Sequence, residues 1–399
     1  SLAVAGQPSW LAKHSADGTL SWSQDYDFTD ASGGSAVCYI EDMTRFDYGT
    51  NGSGYLLIGW MHFGVNKPCA ARVDDNGIVL WAKTYQREIP LDSVEGYLRG
   101  KLYAVNATSD DGFVFAGYEA LLTPAAISRP LVMKIDADGE PLWSSSIDLP
   151  NVYRSGEFTD ISEAEDGSLY LTGYSGAIVT QDGAMLVSHL AADGQSADSA
   201  LFFPGEVEAE NYLTSLAGYS PLDKGLAIES VARGVVITGV LNAHEYGIGE
   251  EAWVLRLNDR LGVEWLFSID GPGDETINAI TYAGDGLFAS GVSKSLIPIE
   301  DGSDNKNSLI LAKLPFEGRP GNIRSDSSLK IQYRQPAIVS GIPGADYGLN
   351  TAIVYSTVNL AINELDNIAD LMDVPDNVCV TRLTPHSGAD TAESVDCAV

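Results

Sequence analysis

A cation followed nine residues later by a tryptophan recurs four times: Lys13/Trp22, Arg72/Trp81, Lys134/Trp143 and Arg256/Trp265. An Asp-x-x-Gly kind of turn lies between the two residues of a pair. Four of the seven tryptophans are spent this way, so the chain is built from repeated units. A repeat constrains the fold more than any single motif, because its units must bury their apolar faces against one another.

Aligning the cation positions gives seven units, at Lys13, Arg72, Lys134, His189, Arg256, Lys313 and Arg382. A short strand-like run precedes each cation, as in Leu131-Val132-Met133 and Trp253-Val254-Leu255. After it comes a turn such as Asp74-Asp75-Asn76-Gly77 or Asp136-Ala137-Asp138-Gly139. Asp bonds its own backbone there and Gly supplies a positive φ. Upstream of each cation lies a β-branched or aromatic run ending in Gly, such as Tyr55-Leu56-Leu57-Ile58-Gly59 and Leu169-Tyr170-Leu171-Thr172-Gly173. Asp-Gly turns precede several of these, a strong hairpin signal. One strand further upstream completes the unit, as at 102–107 and 158–164.

Four antiparallel strands per unit, a period near 60 residues and no intervening helices predict an all-β fold, a β-propeller. Seven four-stranded blades are expected, with six or eight as the alternatives. The blades fall near 1–30, 31–90, 91–150, 151–205, 206–270, 271–328 and 329–399, within one domain. Trp22, Trp81, Trp143 and Trp265 are expected to dock on the neighbouring blade near the rim. Lys13, Arg72, Lys134 and Arg256 should lie along those rings with their heads in water. The first blade lacks an innermost strand, which the C-terminal region, further residues or a second copy would have to supply. Leu360, Ile362, Leu365, Ile368 and Leu371 recur at near-helical spacing, so a short helical insertion is expected there, capped by Asn359.

The pattern from Leu131 to Trp143, Leu-Val-Met-Lys-Ile-Asp-Ala-Asp-Gly-Glu-Pro-Leu-Trp, resembles the repeats of bacterial and archaeal secreted or cell-surface propellers. It also resembles the tryptophan-docking repeat of the PQQ-like propellers, which usually carry one more residue between the Asp and the Gly. The resemblance spans nearly the whole chain. It implies architecture and says little about activity, since propellers host many functions.

A net charge of −32 argues against nucleic acid and anionic membranes as partners. No apolar stretch approaches the length of a membrane span. Cys38, Cys69, Cys379 and Cys397 form no Cys-x-x-Cys. Cys379 and Cys397 bracket a hairpin centred on Gly388 at equal spacing, which predicts a disulfide between them. Cys38 and Cys69 fall on strands separated by a third, and their pairing stays open. Acidity and these cysteines lean towards an extracellular or cell-surface protein, with the periplasm as the alternative.

Tests for chemistry return little. Ser15-Ala16-Asp17-Gly18-Thr19-Leu20-Ser21-Trp22 approaches a sialidase-type Asp box, but its Gly is one place early and only one unit carries it. No vicinal cysteines or haem-binding Cys-x-x-Cys-His support a quinoprotein dehydrogenase. Five histidines without His-x-His or His-x-x-x-His spacing do not support a transition-metal site. Calcium is the metal the sequence suits, at the oxygen-rich loop carrying Asp301, Ser303, Asp304, Asn305 and Asn307. No other cofactor and no catalytic residue is indicated. The leading expectation is a non-enzymatic binding, structural or self-assembly module, whose partners are a second copy or a protein or glycan at the cell surface. The alternative is a glycan-active hydrolase or lyase, or a quinoprotein-like dehydrogenase, with its site on the central axis.

Overall fold

The computed structural model describes residues 2–6, 10–17, 19–29, 35–36, 38–49, 52–62, 66–87, 98–121, 128–147, 155–176, 183–194, 197–203, 224–241, 250–270, 273–283, 286–294, 308–314, 330–333, 337–340, 353–357, 359–364 and 381–383. Almost everything described is strand, and the arrangement is a β-propeller.

The N-terminal sheet holds β1 (Leu2–Gly6), β2 (Trp10–His14) and β3 (Leu20–Thr29), with the short β4 (Ser35–Ala36) against β3. The first complete blade, B1, runs β5 (Cys38–Asp47), β6 (Ser53–His62), β7 (Asn66–Asp74) and β8 (Val79–Arg87). Blade B2 is β9 (Leu98–Ala107), β10 (Phe113–Leu121), β11 (Ser128–Ile135) and β12 (Pro141–Ser146). Blade B3 is β13 (Ser155–Glu163), β14 (Leu169–Gly176), β15 (Gly183–Leu190) and β16 (Ala197–Phe203). Blade B4 is β17 (Lys224–Val231), β18 (Gly234–Leu241), β19 (Glu251–Leu257) and β20 (Val263–Asp270). Blade B5 takes β21 (Glu275–Ala283), β22 (Gly286–Ser293) and β23 (Ser308–Leu314). The innermost strands β5, β9, β13, β17 and β21 pack one on the next, and β1 lies beside β5.

Among the described residues five blades of four strands are found, and the seven read from the repeat count are not supported. The region counted as a seventh blade forms no blade of its own among the described residues. Its strands extend other sheets: β24 (Lys330–Tyr333) pairs β20, β25 (Ala337–Ser340) pairs β16, and β26 (Ile353–Thr357) pairs β8. Next, β27 (Asn359–Glu364) pairs β3, and β28 (Thr381–Leu383) lies parallel to β23 as the fourth strand of B5. The expected helical insertion is not found, since Asn359–Glu364 is strand. Leu360 and Ile362 stand two apart, which suits a strand edge as well as a helix face, and the free edge of β3 takes the backbone hydrogen bonds. Leu365, Ile368 and Leu371 lie outside the described residues.

Two devices repeat from blade to blade. The first explains the spacing of nine. Lys13 and Trp22, Arg72 and Trp81, Lys134 and Trp143, and Arg256 and Trp265 are cross-strand partners, each beside a register shift. The Trp22 indole N–H donates to the Asp75 carbonyl of the next blade at 3.1 Å, and that of Trp81 to the Ala137 carbonyl at 3.0 Å. These rings cover turn glycines at positive φ: a Cβ on Gly77, Gly139 or Gly194 would lie 2.9, 3.0 or 2.7 Å from Trp22, Trp81 or Trp143. Trp265 packs against the core formed with B5. The cation heads are not left in water: the same turns offer acceptors to Lys13 and Arg72, and carboxylates of their own blades do so for Lys134 and Arg256. Lys13 Nζ donates to the Asp75 carbonyl and carboxylate at 3.0 Å, and Arg72 Nη1 to the Ala137 carbonyl at 2.7 Å. Lys134 bonds Asp110 at 2.6 Å and Arg256 bonds Glu264 at 2.7 Å.

The second device is a β-bulge in every innermost strand of the five blades, at Glu41, Tyr103, Thr159, Leu226 and Asn278. Each bulge drives a carbonyl towards the facing strand, where Gly59, Gly117, Gly173, Gly239 and Gly291 stand. A Cβ at any of these would overlap that carbonyl: Tyr39, Lys101, Glu157, Lys224 and Thr276 in turn. The strand-then-glycine signature is the imprint of these bulges.

Candidate ligand-binding mouth

The two faces of the propeller differ. On one face the strands turn tightly, through residues such as 75–78, 136–140, 164–168 and 258–262. On the other face lie longer connections between blade strands, between Arg87 and Leu98, Phe203 and Lys224, Leu241 and Glu251, and Ser293 and Ser308. Rigid strands feeding long connections are the usual place for a binding surface.

The innermost strands present their reactive side chains at that second face. Just before or at the bulge stand Tyr39 and Glu41 in B1, Lys101 and Tyr103 in B2, and Glu157 and Thr159 in B3; Lys224 occupies the position in B4. The residue after each bulge-facing glycine joins them: Trp60, Tyr118 and Tyr174 in B1, B2 and B3. The equivalent residues of B4 and B5 are Val240 and Val292. The aromatic side chains thus gather on one side of the axis, over three consecutive blades, with Lys224 of B4 beside them.

Glu157 is the centre of the group. It accepts hydrogen bonds from Tyr103 and Tyr174 and lies in the field of Lys224 and Lys101. Burial raises its carboxyl above the ordinary range, and the lysines and phenols only partly offset this. Burial and the Glu157 charge push Tyr103 and Tyr118 up and carry Tyr174 to about 12. All three phenols therefore remain neutral donors at physiological pH. Lys101 Nζ lies 4.0 Å from the Trp60 ring centre, and Lys224 Nζ lies 4.5 Å from that of Tyr174, both cation–π distances. Trp60 stacks on Tyr39 at 4.3 Å and 16°, and its indole N–H donates to exposed Glu41 at 2.8 Å. All except Glu41 are half-buried, which leaves part of each side chain presented at the mouth.

A second tier lies beneath. Asp42 and Asp160 follow the bulges of B1 and B3. Asp42 accepts from the backbone N–H of Val105 at 2.9 Å and of Met43 at 2.7 Å. Asp160 accepts from Ile228 at 2.7 Å and Ile161 at 2.8 Å. Each clasps the innermost strand of the following blade. Burial raises Asp42 to about 6 and Asp160 to about 7, against the downward pull of those N–H bonds. Thr159, donating to the Gly225 carbonyl at 2.6 Å, and Glu229, accepting from Tyr282 at 3.0 Å, extend the clasp.

The sites read from sequence fall elsewhere. Asp301, Ser303, Asp304, Asn305 and Asn307 lie outside the described residues, as do Cys379 and Cys397. Cys38 and Cys69 are buried thiols, not joined by a disulfide, that share a hydrogen bond. They flank β6, opposite Met61 and Gly59, so two strand spacings separate their backbones, roughly 9–10 Å, too far for a disulfide. His62 ends β6 on the mouth face and bonds Asn66 at 3.0 Å. The mouth itself was missed, though its signal was present: aromatic residues directly follow three of the recurring glycines, Gly59, Gly117 and Gly173. No protein-family model and no curated protein sequence matches the chain.

Proposed function

We propose that this propeller is a non-enzymatic binding module, exported to the cell surface, that takes its ligand at the mouth over B1, B2 and B3. One observation carries the reading. Trp60, Tyr118 and Tyr174 stand where the repeat places valine in B4 and B5, half-buried beside Lys101, Glu157 and Lys224. Framework positions of a repeat answer to packing alone, so a polar and aromatic departure confined to adjacent blades is what a ligand site requires. Export is supported by the net charge of −32 and by the repeat's resemblance to secreted propellers. The test is binding of wild type and the Trp60→Ala/Tyr118→Ala variant to immobilised glycans and cell-surface proteins. A folded variant that loses a ligand held by the wild type supports the reading, and one that keeps every ligand contradicts it.

Two other readings each have an observation behind them. Glu157, a carboxyl raised by burial between phenols, has the character of a general acid, which favours a glycan-active enzyme. That reading expects turnover by the wild type and none by Glu157→Gln. Self-assembly is favoured by β1, which has a strand partner on one side only among the described residues. It expects native masses above the 42.5 kDa of one chain, at whole multiples of it.

A further inference from the structure

Resting on that reading of the mouth, we infer that its ligand is an acidic glycan, recognised through a uronic-acid carboxylate held between Lys101 and Lys224 while a sugar ring lies against the Trp60–Tyr39 pair. The polar groups set the class. The Tyr118 phenol and the two ammoniums are the donors left for a ligand, since Tyr103 and Tyr174 each spend their one O–H on Glu157. The main acceptor among them, Glu157, is already engaged by Tyr103 and Tyr174. With Arg99 beside Tyr118 and Glu41 at the edge of Trp60, the cluster sets Lys101, Lys224 and Arg99 against Glu157 and Glu41, which leaves one positive charge in excess within a chain of net −32. A carboxylate would balance that excess and receive charge-assisted bonds from lysines already held over aromatic rings. A positively charged ligand would have to displace both ammoniums. A neutral sugar would leave the excess charge unmatched.

Glu41 lies at the far edge of Trp60, bonded to its indole, and restricts the carboxylate to the Lys101 side of the ring. The acidic surface elsewhere does not forbid such a ligand, since charges more than about 8 Å away are largely screened at physiological ionic strength. Tyr39 covers one face of Trp60 and Lys101 the other, so the sugar ring is received on the outer face of Tyr39 and along the edge of Trp60.

The test is calorimetry at physiological salt with oligogalacturonate, oligomannuronate and hyaluronan oligosaccharides, the methyl esters of the first two, and neutral cello- and chito-oligosaccharides. Wild type, Lys101→Met, Lys224→Met and Trp60→Ala are compared after their melting curves confirm folding. The inference expects at least one uronate ligand to bind. Its esterified form, where made, and each lysine variant should weaken binding about tenfold or more. Equal binding of ester and acid, or binding of neutral sugars alone, overturns the acidic class. If Trp60→Ala still abolishes that binding, the mouth remains the site. Uronate binding that survives all three substitutions places the ligand elsewhere and overturns both. Binding of no glycan by the wild type overturns the inference, and the protein arm of the broader screen then decides the mouth. If a lysine variant fails to fold, esterification of the ligand tests the same contact on the intact protein.

Discussion

At the scale of single residues, glycine and aspartate do opposite work on the innermost strands. Gly117 faces the Tyr103 bulge, and any Cβ there would overlap the Lys101 carbonyl. Gly117→Ala should cost about 3 kcal/mol, read as a lower denaturant midpoint, because backbone rather than a side-chain tip must move. An exposed turn glycine with open space, such as Gly49, should show only the cost of its positive φ of 57°. Asp42 and Asp160 set a pH dependence. Their folded values lie above the ordinary carboxylate range, so the folded state favours the protonated form. Their contribution is therefore full below about pH 4 and lost as pH rises through 6 and 7. Asp75, Asp110 and Asp166 are shifted down and act in the opposite sense, losing their contribution as pH falls below the carboxylate range. The melting temperature should peak in mildly acidic buffer and decline towards pH 8. Asp160→Asn should flatten the decline while lowering the peak, since an amide cannot accept both backbone N–H bonds. A melting temperature that rises steadily from pH 5 to 8 would contradict this.

At the scale of elements, what the sequence shows and what it hides have separate physical causes. The spacing of nine is visible because Lys134 and Trp143 are cross-strand partners joined by a turn of fixed length. The strand-then-glycine pattern is visible because a bulge leaves no room for a side chain. The number of blades is not, because a cation such as Arg382 can sit on an isolated strand that serves another sheet. Here β28 joins B5 in parallel, and no local pattern distinguishes it from the third strand of a blade. Nor is the helix-like spacing at 360–371 decisive, since the edge of β3 was available to convert its start to strand. The mouth was hidden because it joins residues from different blades, Lys101 with Trp60 and Lys224 with Tyr174 and Glu157. Docking between elements makes its own prediction. Trp81 covers Gly139 and bonds the Ala137 carbonyl, so Trp81→Ala should lower stability by about 3 kcal/mol. Trp81→Phe should recover most of the packing but not the hydrogen bond. If Trp81→Ala unfolds at the wild-type midpoint, the docking ring contributes nothing.

At the scale of the whole molecule, the propeller divides its labour between its faces. The tight-turn face carries the staples: Trp22, Tyr26, Trp81, Lys83 and Tyr85 all bond turn carbonyls of the next blade. The face of long connections is freed from that task and gathers Trp60, Tyr118 and Tyr174 around Glu157. A repeat architecture permits this, because each blade needs only its neighbours to be stable and can vary at the far end of its strands. The most direct measurement of this division is hydrogen–deuterium exchange of the whole chain, free and with the mixed acidic and neutral oligosaccharides. Slowed exchange at 38–42, 58–62, 101–105, 116–119, 157–160 and 173–176 is the predicted result, with the turns at 75–78 and 136–140 unchanged. Protection confined to the tight-turn face or to the outermost strands would contradict the assignment of the mouth.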